Sequence, residues 1–354
     1  MDDKQPYGDW PSLSRAIKEA AKKAVAMGAA TDVDSLIRQA YFDRFLTRVF
    51  AAGGDSDWLL KGGVSMLARV PRTRATKDVD LASPAADLDE AENALKLCVD
   101  VDMGDHVTFR LSARRPTGLG DNQPGVATRR LLFTCYDAET GRRIGDVPVD
   151  LVVGPAPVGR PETVEPANRL KLGRPLVTRP YRLYPVVDQV ADKVCATMAT
   201  NYPGGKGSSR VKDLVDLVVI TRTQQMDLRE LGLAIDTKRR LSGLEPFERF
   251  RIPADWTAEY TRLAKSAASV DGLTDAGEAE AFVAQLVDPA LQSHGGLTAD
   301  WMPGAGWTDR AAAAPSSPGA RGTQTDGRTA QERQQVRGAQ PLRDHRRTPR
   351  DRGR

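Results

Sequence analysis

Cysteine and histidine are scarce in this chain of 354 residues, with three of each. Cys98, Cys135 and Cys195 are far apart and odd in number, so they give neither a disulfide framework nor zinc-ligand spacing. His106, His294 and His345 are too few and too scattered for a His-based metal centre or a Ser-His-Asp arrangement. Aromatics make up only 6% of the chain, and Tyr181, Tyr184 and Tyr202 read equally as core fillers or as stacking partners for a base. No run of about 18 apolar residues exists, which excludes a membrane-spanning helix. The opening Met1-Asp2-Asp3-Lys4 lacks the basic-then-apolar order of a signal peptide. The expected setting is the cytoplasm.

A surplus of one charge is also missing from most of the chain. The formal net charge is +4, from 51 Lys and Arg against 47 Asp and Glu. Residues 303–354 carry eleven Arg against five acids, which leaves 40 basic and 42 acidic residues elsewhere. The positive excess therefore sits in the last segment, which has Trp307, Val336 and Leu342 as its only large apolar residues. Such a segment buries too little surface to offset its ordering entropy, so 303–354 is expected to be a disordered Arg-rich tail.

The rest of the chain alternates helical and strand patterns. Helical spacing covers 13–27 and 36–49, the second preceded by Thr31 and Asp34 in capping-box positions. A short strand over 58–60 enters Lys61-Gly62-Gly63, and a short helix over 64–69 follows. Strands are expected at 79–82 and 106–111, with a helix over 87–99 between them. Residues 128–136 and 144–153 form an expected hairpin around Thr140-Gly141. The Pro-rich stretch from Pro155 to Pro185 reads as an ordered connection plus linker. Helices are then expected at 186–199, 209–221, 228–241, 254–268 and 275–286. At about 100–200 residues per domain, the length suggests two domains. We place the boundaries at 1–160, 161–302 and 303–354.

One stretch carries chemistry. Lys61-Gly62-Gly63-Val64-Ser65 is followed by Asp78-Val79-Asp80-Leu81. On a strand, residues i and i+2 share a face about 7 Å apart. Two carboxylates there repel unless a cation lies between them. Mg²⁺, a hard ion that takes oxygen ligands and substrate phosphates, suits such a pair. Asp150, alone among apolar residues at 147–153, can join Asp78 and Asp80 if its strand lies alongside. Three carboxylates can hold two Mg²⁺ ions for in-line phosphoryl transfer. The glycines let backbone approach a triphosphate, and the helix start with Ser65 offers donors to its phosphates. An isolated Asp-x-Asp carries little meaning; strand, Gly-Gly-x-Ser, helix, Asp-x-Asp and a third strand acid in order are far more specific.

Gly62-Gly63-x-Ser65, Asp78-x-Asp80 and Asp150 together resemble the metal-binding signature of the DNA polymerase β-like nucleotidyltransferases. More narrowly, Leu60-Lys61-Gly62-Gly63 with Arg74-x-Thr76-Lys77-Asp78-Val79-Asp80-Leu81 is similar to the AbiEii/AbiGii toxin family with its MenT-like members. Asp192-Lys193 and Arg210-x-Lys212-Asp213-Leu214-x-Asp216-Leu217 resemble that family's later motifs, and the resemblance spans about residues 35–290. It implies an α+β fold: an N-terminal polymerase β-like head with a short mixed β-sheet, and a C-terminal helical domain that completes the cleft. It also implies nucleotidyl transfer from NTP, in some members to the tRNA 3′ acceptor end, and a cognate antitoxin.

Residue roles follow from that reading. Asp78, Asp80 and Asp150 are expected as metal ligands, and Asp150 also as acceptor of the attacking hydroxyl's proton. Lys193 is placed to offer a point charge to the NTP β- and γ-phosphates. Asp213 either orients Lys193 or acts on the acceptor hydroxyl, and Asp216 reads equally as core or site. Lys61, Gly62, Gly63, Ser65, Arg210 and Lys212 are expected at NTP, and Arg72, Arg74 and Lys206 at RNA phosphates. Two rival readings stand beside this one. One is a nucleotidyltransferase acting on a small molecule or protein, the other an NTP-binding regulatory module without turnover.

Overall fold

The computed structural model describes residues 6–28, 32–116, 126–199, 208–292 and 298–310. Two helices open the chain, α1 (Trp10–Ala26) and α2 (Val33–Val49). Asp9 caps α1 by accepting from the Ser12 amide at 2.7 Å. Asp32 caps α2, accepting from the Asp34 and Ser35 amides. The capping-box reading centred on Thr31 falls outside the described residues, and Asp32 holds the cap position. A third helix, α3 (Gly62–Arg69), follows strand β1 (Leu59–Lys61) directly. Strand β2 (Val79–Ser83) and helix α4 (Leu88–Val99) come next, then three long strands, β3 (Val107–Pro116), β4 (Ala127–Asp137) and β5 (Arg143–Val153).

The Pro-rich stretch departs from expectation. It contributes β6 (Glu162–Val164) and β7 (Tyr181–Leu183) to the same sheet, so it is not a linker. Strand β7 pairs parallel with β1, and β6 pairs antiparallel with β7. The result is a seven-stranded sheet in the order β3-β4-β5-β2-β1-β7-β6. Only the β1–β7 and β2–β5 pairings are parallel. Each proline-flanked strand is three residues long, too short to show alternation in sequence.

Alternation governs the longer strands. Val79 and Leu81 of β2, Leu131, Phe133 and Cys135 of β4, and Val147, Val149 and Leu151 of β5 are buried on one face. There they join Phe42, Phe45 and Leu46 of α2, Leu95 of α4, and Trp10 and Leu13 of α1 in one apolar cluster. The intervening residues, Asp80, Arg130 and Asp150 among them, occupy the opposite face.

Beyond β7 the chain is helical: α5 (Val186–Met198), α6 (Val211–Thr223), α7 (Leu228–Leu241), α8 (Thr257–Ala264) and α9 (Ala276–Gln292). These build a second cluster around Val190, Leu217, Trp256 and Val283, to which α3 contributes Met66. The helix expected over 254–268 is α8 flanked by two short 3₁₀ turns. A small three-stranded sheet closes the bundle, β8 (Met226–Asp227), β9 (Ala299–Met302) and β10 (Gly306–Asp309).

Two expected boundaries move. Residues Met1–Arg310 form one unit with two apolar clusters, so the sheet and the helical part are not separate domains. The sheet runs through Leu183, well past residue 160. The folded chain also continues past 302: Trp307 packs edge-on against Trp301 at 5.6 Å and donates to the Gln285 and Leu286 carbonyls. Composition hid this, because one Trp anchors seven polar or small residues from 303 to 310. The tail reading for the residues from 311 onward, and the RNA contact expected of Lys206, lie outside the described residues. No described helix is long and apolar enough to cross a membrane.

Candidate active site

Strand register brings the acids together. In the parallel pair β2–β5, Asp80 stands opposite Asp150, and in the antiparallel pair β1–β2 it stands opposite Lys61. Asp150 in turn stands opposite Arg130 of β4. Lys61, Asp80, Asp150 and Arg130 thus form one row across four strands on the face away from the first apolar cluster. Asp78, two residues before Asp80, accepts from Arg130 Nη2 at 2.9 Å, while Arg130 Nε lies 3.5 Å from Asp150. Burial and the charges of Asp78 and Asp150 push the Asp80 carboxyl up to about 6. Burial also raises Asp150, against the pull of Arg130.

Gly62 explains the glycine pair. Its φ is +62°, which a side chain rarely tolerates, and a Cβ there would lie 1.9 Å from Asp80 Oδ2. A Cβ on Gly63 would lie 2.7 Å from Thr76 Oγ1. The glycines therefore let the start of α3 lie flat against the acid row. The Gly62 carbonyl accepts from Ser65 Oγ at 3.0 Å and from Gln189 Nε2 of α5 at 3.2 Å. Ser65, expected at NTP, is fully buried, and its hydroxyl donates to that carbonyl and to Gln189 Oε1.

The later motifs converge on the same row. Lys193 Nζ of α5 donates to Asp213 at 2.8 Å and to Asp216 at 2.7 Å, both on α6. Arg210 Nε donates to Asp213 at 2.7 Å. Arg74 grips Asp216 with two bonds of 2.8 Å. Arg74, expected at RNA phosphate, instead ties the loop before Asp78 to α6, and Asp216 is its anchor. Burial alone would raise the Asp213 carboxyl, but Lys193 and Arg210 bring it down to about 2. Burial would lower Lys193, yet Asp213 and Asp216 hold its ammonium charged, and its field reaches Asp80. Three cations against two carboxylates leave this network one positive charge in surplus.

A second cluster lies at the β1 end of the row. Lys61 Nζ pairs with Asp192 at 2.9 Å and sits 4.2 Å over the Tyr184 ring. Lys238 of α7 pairs with Asp192 at 3.0 Å and donates to the Tyr184 hydroxyl at 2.6 Å. Burial would raise Asp192, but the two lysines lower it. Two ammonium groups against one carboxylate again leave one positive charge. Two of the expected contacts are not in this constellation. Lys212 is exposed on α6, where its neighbours 211 and 213 are buried. Arg72, at φ +68°, gives its carbonyl to Ser269 and lines a separate cavity of about 640 Å³ with Lys23, Leu36 and Thr73.

Arg130, Gln189 and Lys238 were not singled out by sequence. Counting outward from the Thr140-Gly141 turn pairs Arg130 with Leu151; the register shift between Cys135 and Tyr136 is what brings it opposite Asp150, so alternation alone does not reveal it. Gln189 and Lys238 show no signal, since the basic run Lys238-Arg239-Arg240 reads as charge complementing a helix C-terminus.

The donor set fits a divalent cation. Asp78, Asp80 and Asp150 offer the oxygen ligands a hard ion takes, and Asp150 Oδ1 is buried with no hydrogen-bond partner. As the side chains stand, no three His, Cys, Asp or Glu residues among those described already form a metal-holding group. Arg130 reaches between Asp78 and Asp150 instead.

The chain is similar to solved structures and matches one family model. MenT4, a nucleotidyltransferase toxin from Mycobacterium tuberculosis H37Rv, is 20% identical over 77% of this chain and 97% of its own, with a TM-score of 0.41. JHP933 from Helicobacter pylori is 13% identical over 73% of this chain and 93% of its own, with a TM-score of 0.37. No curated protein matches the chain significantly. The model of the nucleotidyl transferase AbiEii toxin family, type IV toxin–antitoxin system, matches residues 44–285, from α2 through the acid row and both later motifs into α9, and the chain belongs to that family of nucleotidyltransferase toxins.

Proposed function

We propose that this toxin transfers a nucleoside monophosphate from NTP to an RNA 3′-hydroxyl, at the acceptor end of tRNA, and so blocks translation. The observation that carries this reading is the in-register row of Asp80 and Asp150, with two networks of positive surplus anchored on Asp192 and Lys193 of α5. A triphosphate needs such surplus cations, and a metal-assisted transfer needs the paired carboxylates.

In this reading Asp78, Asp80 and Asp150 hold Mg²⁺. When bound, the metal supplies Lewis-acid polarisation of the α-phosphate and lowers the pKa of the acceptor hydroxyl. Asp150, raised by burial, accepts the proton of the 3′-hydroxyl as its oxygen attacks the α-phosphate. The new phosphodiester bond forms, the α–β bond breaks, and pyrophosphate leaves. The Gly62-Gly63 turn and the first turn of α3 let the phosphates lie against backbone amides. Lys193, fixed by Asp213 and Asp216, and Lys61, fixed by Asp192, hold positive charge for the leaving phosphates. Arg74 and Arg210 keep that geometry rigid. The toxin family implies a cognate antitoxin as partner.

The test incubates the full chain with each labelled NTP, total tRNA and Mg²⁺. We expect label on RNA, lost in Asp80→Ala. Label on a small molecule or protein and not on RNA would replace the acceptor. Full activity in Asp80→Ala would remove the acid row from the chemistry.

A further inference from the structure

The acid row continues past Arg130. Arg115 of β3 stands opposite Arg130, so one face of the sheet reads Lys61, Asp80, Asp150, Arg130, Arg115 across five strands. The two ends of this row differ. The Lys61 end is closed: the Lys61 side chain is 12% exposed and held by Asp192 of α5 and the Tyr184 ring. The other end is open: the Arg130 side chain is 43% exposed, and Arg110 and Arg115 are exposed.

The arginines of the two sheet faces are also treated differently. On the helix-covered face, Arg114 and Arg129 are paired with Glu92 and Asp89 of α4. On the open face, neither Arg110 nor Arg115 has a carboxylate partner among the described residues. Arg110 instead lies over the Tyr136 ring at 5.6 Å. Unpaired guanidinium groups beside an aromatic on an exposed sheet face suit a phosphodiester backbone. A small triphosphate fits the closed end, whereas a polymer needs the open one.

We infer that the open face of β3–β4–β5 binds the RNA strand, with Arg110 and Arg115 on its phosphates and Arg130 delivering the 3′ end to Asp150. This rests on RNA being the acceptor. Its distinct content is the direction of approach: RNA arrives across β3 and β4, and NTP sits on the far side of the acids.

The experiment uses the full chain with Arg110→Glu and Arg115→Glu together, and the milder pair Arg110→Ala and Arg115→Ala. Lys18→Glu with Lys22→Glu on α1, exposed on the helix-covered side, serves as a control of equal charge change. The probe is a short RNA hairpin with a single-stranded 3′ end, titrated at several salt concentrations, with NTP binding measured separately. We expect the face variants to lose about tenfold or more in RNA affinity near 0.1 M salt. The slope of log Kd against log salt should shrink by about 1 to 2, as two phosphate contacts require. NTP affinity should stay within about twofold, and the control should match wild type. Equal RNA affinity and slope in face variants and wild type overturns the inference while RNA labelling by wild type keeps the acceptor assignment intact. A face variant that loses antitoxin binding but keeps RNA binding overturns it too. No RNA labelling by wild type removes the acceptor assignment, and this inference with it.

Discussion

Gly62 is the residue on which two requirements meet, a left-handed backbone and contact with Asp80. Gly62→Ala should therefore cost both stability and chemistry. We expect a loss of about 1–3 kcal/mol in urea unfolding and a fall in transfer rate of at least two orders of magnitude, because the added Cβ must displace the Asp80 carboxylate. Asp80→Asn separates the two effects. Asp80 is raised to about 6, so its ionised form is disfavoured in the fold and its charge weakens the fold as pH rises from about 4 to 6. Removing that charge should abolish transfer yet raise the melting temperature at pH 7 without metal. An unchanged or lower melting temperature would count against like-charge strain in the row. At this scale the sequence was most legible. The two-residue spacing of Asp78 and Asp80 and the Gly-Gly-x-Ser turn are local signals, and Lys193 and Asp213 lie in short motifs. Lys238 and Gln189 were not legible, since they reach the site only through helix packing.

Among elements, the loop from β1's helix to β2 is held by Arg74 on Asp216. That bond crosses from the sheet to α6 and lies largely out of solvent. Arg74→Ala leaves Asp216 with Lys193 as its remaining partner, so we expect about 3 kcal/mol of destabilisation. Arg74→Lys, with one point charge for a two-pronged grip, should recover only part of it. Urea unfolding of the two variants would show this, and no loss in either would mean the pair is not structural. The β4–β5 hairpin could be read from alternation and its turn. Strands β6 and β7 could not, because their place in the sheet comes from pairing with β1, a partner about 120 residues earlier.

For the molecule as a whole, acid should unfold it in a defined window. Asp213 is brought down to about 2, and Asp43, Asp192 and Asp216 are also lowered, each by neighbouring cations. A lowered carboxyl contributes stability that is present above its unfolded pKa, about 3.9, and is lost as pH falls through its folded value. Stability should therefore decline steeply from about pH 4 toward pH 2, measured by circular dichroism against pH. Asp213→Asn should flatten that decline. Truncation tests the C-terminal limit. A chain ending at Met302 should be about 2 kcal/mol less stable than one ending at Arg310, having lost Trp307 and its two carbonyl bonds. The boundary was misread because composition averages over the one aromatic that matters there.

Strand β7 sits inside the sheet and leads into α5 after only two residues, Tyr184 and Pro185. The helical half is thus not a cassette: any recombination joint placed in the Pro-rich stretch would have to exchange a strand of the host sheet as well. Point substitution on the edge strand β3, two strands away from Asp150, is the change that disturbs the catalytic row least.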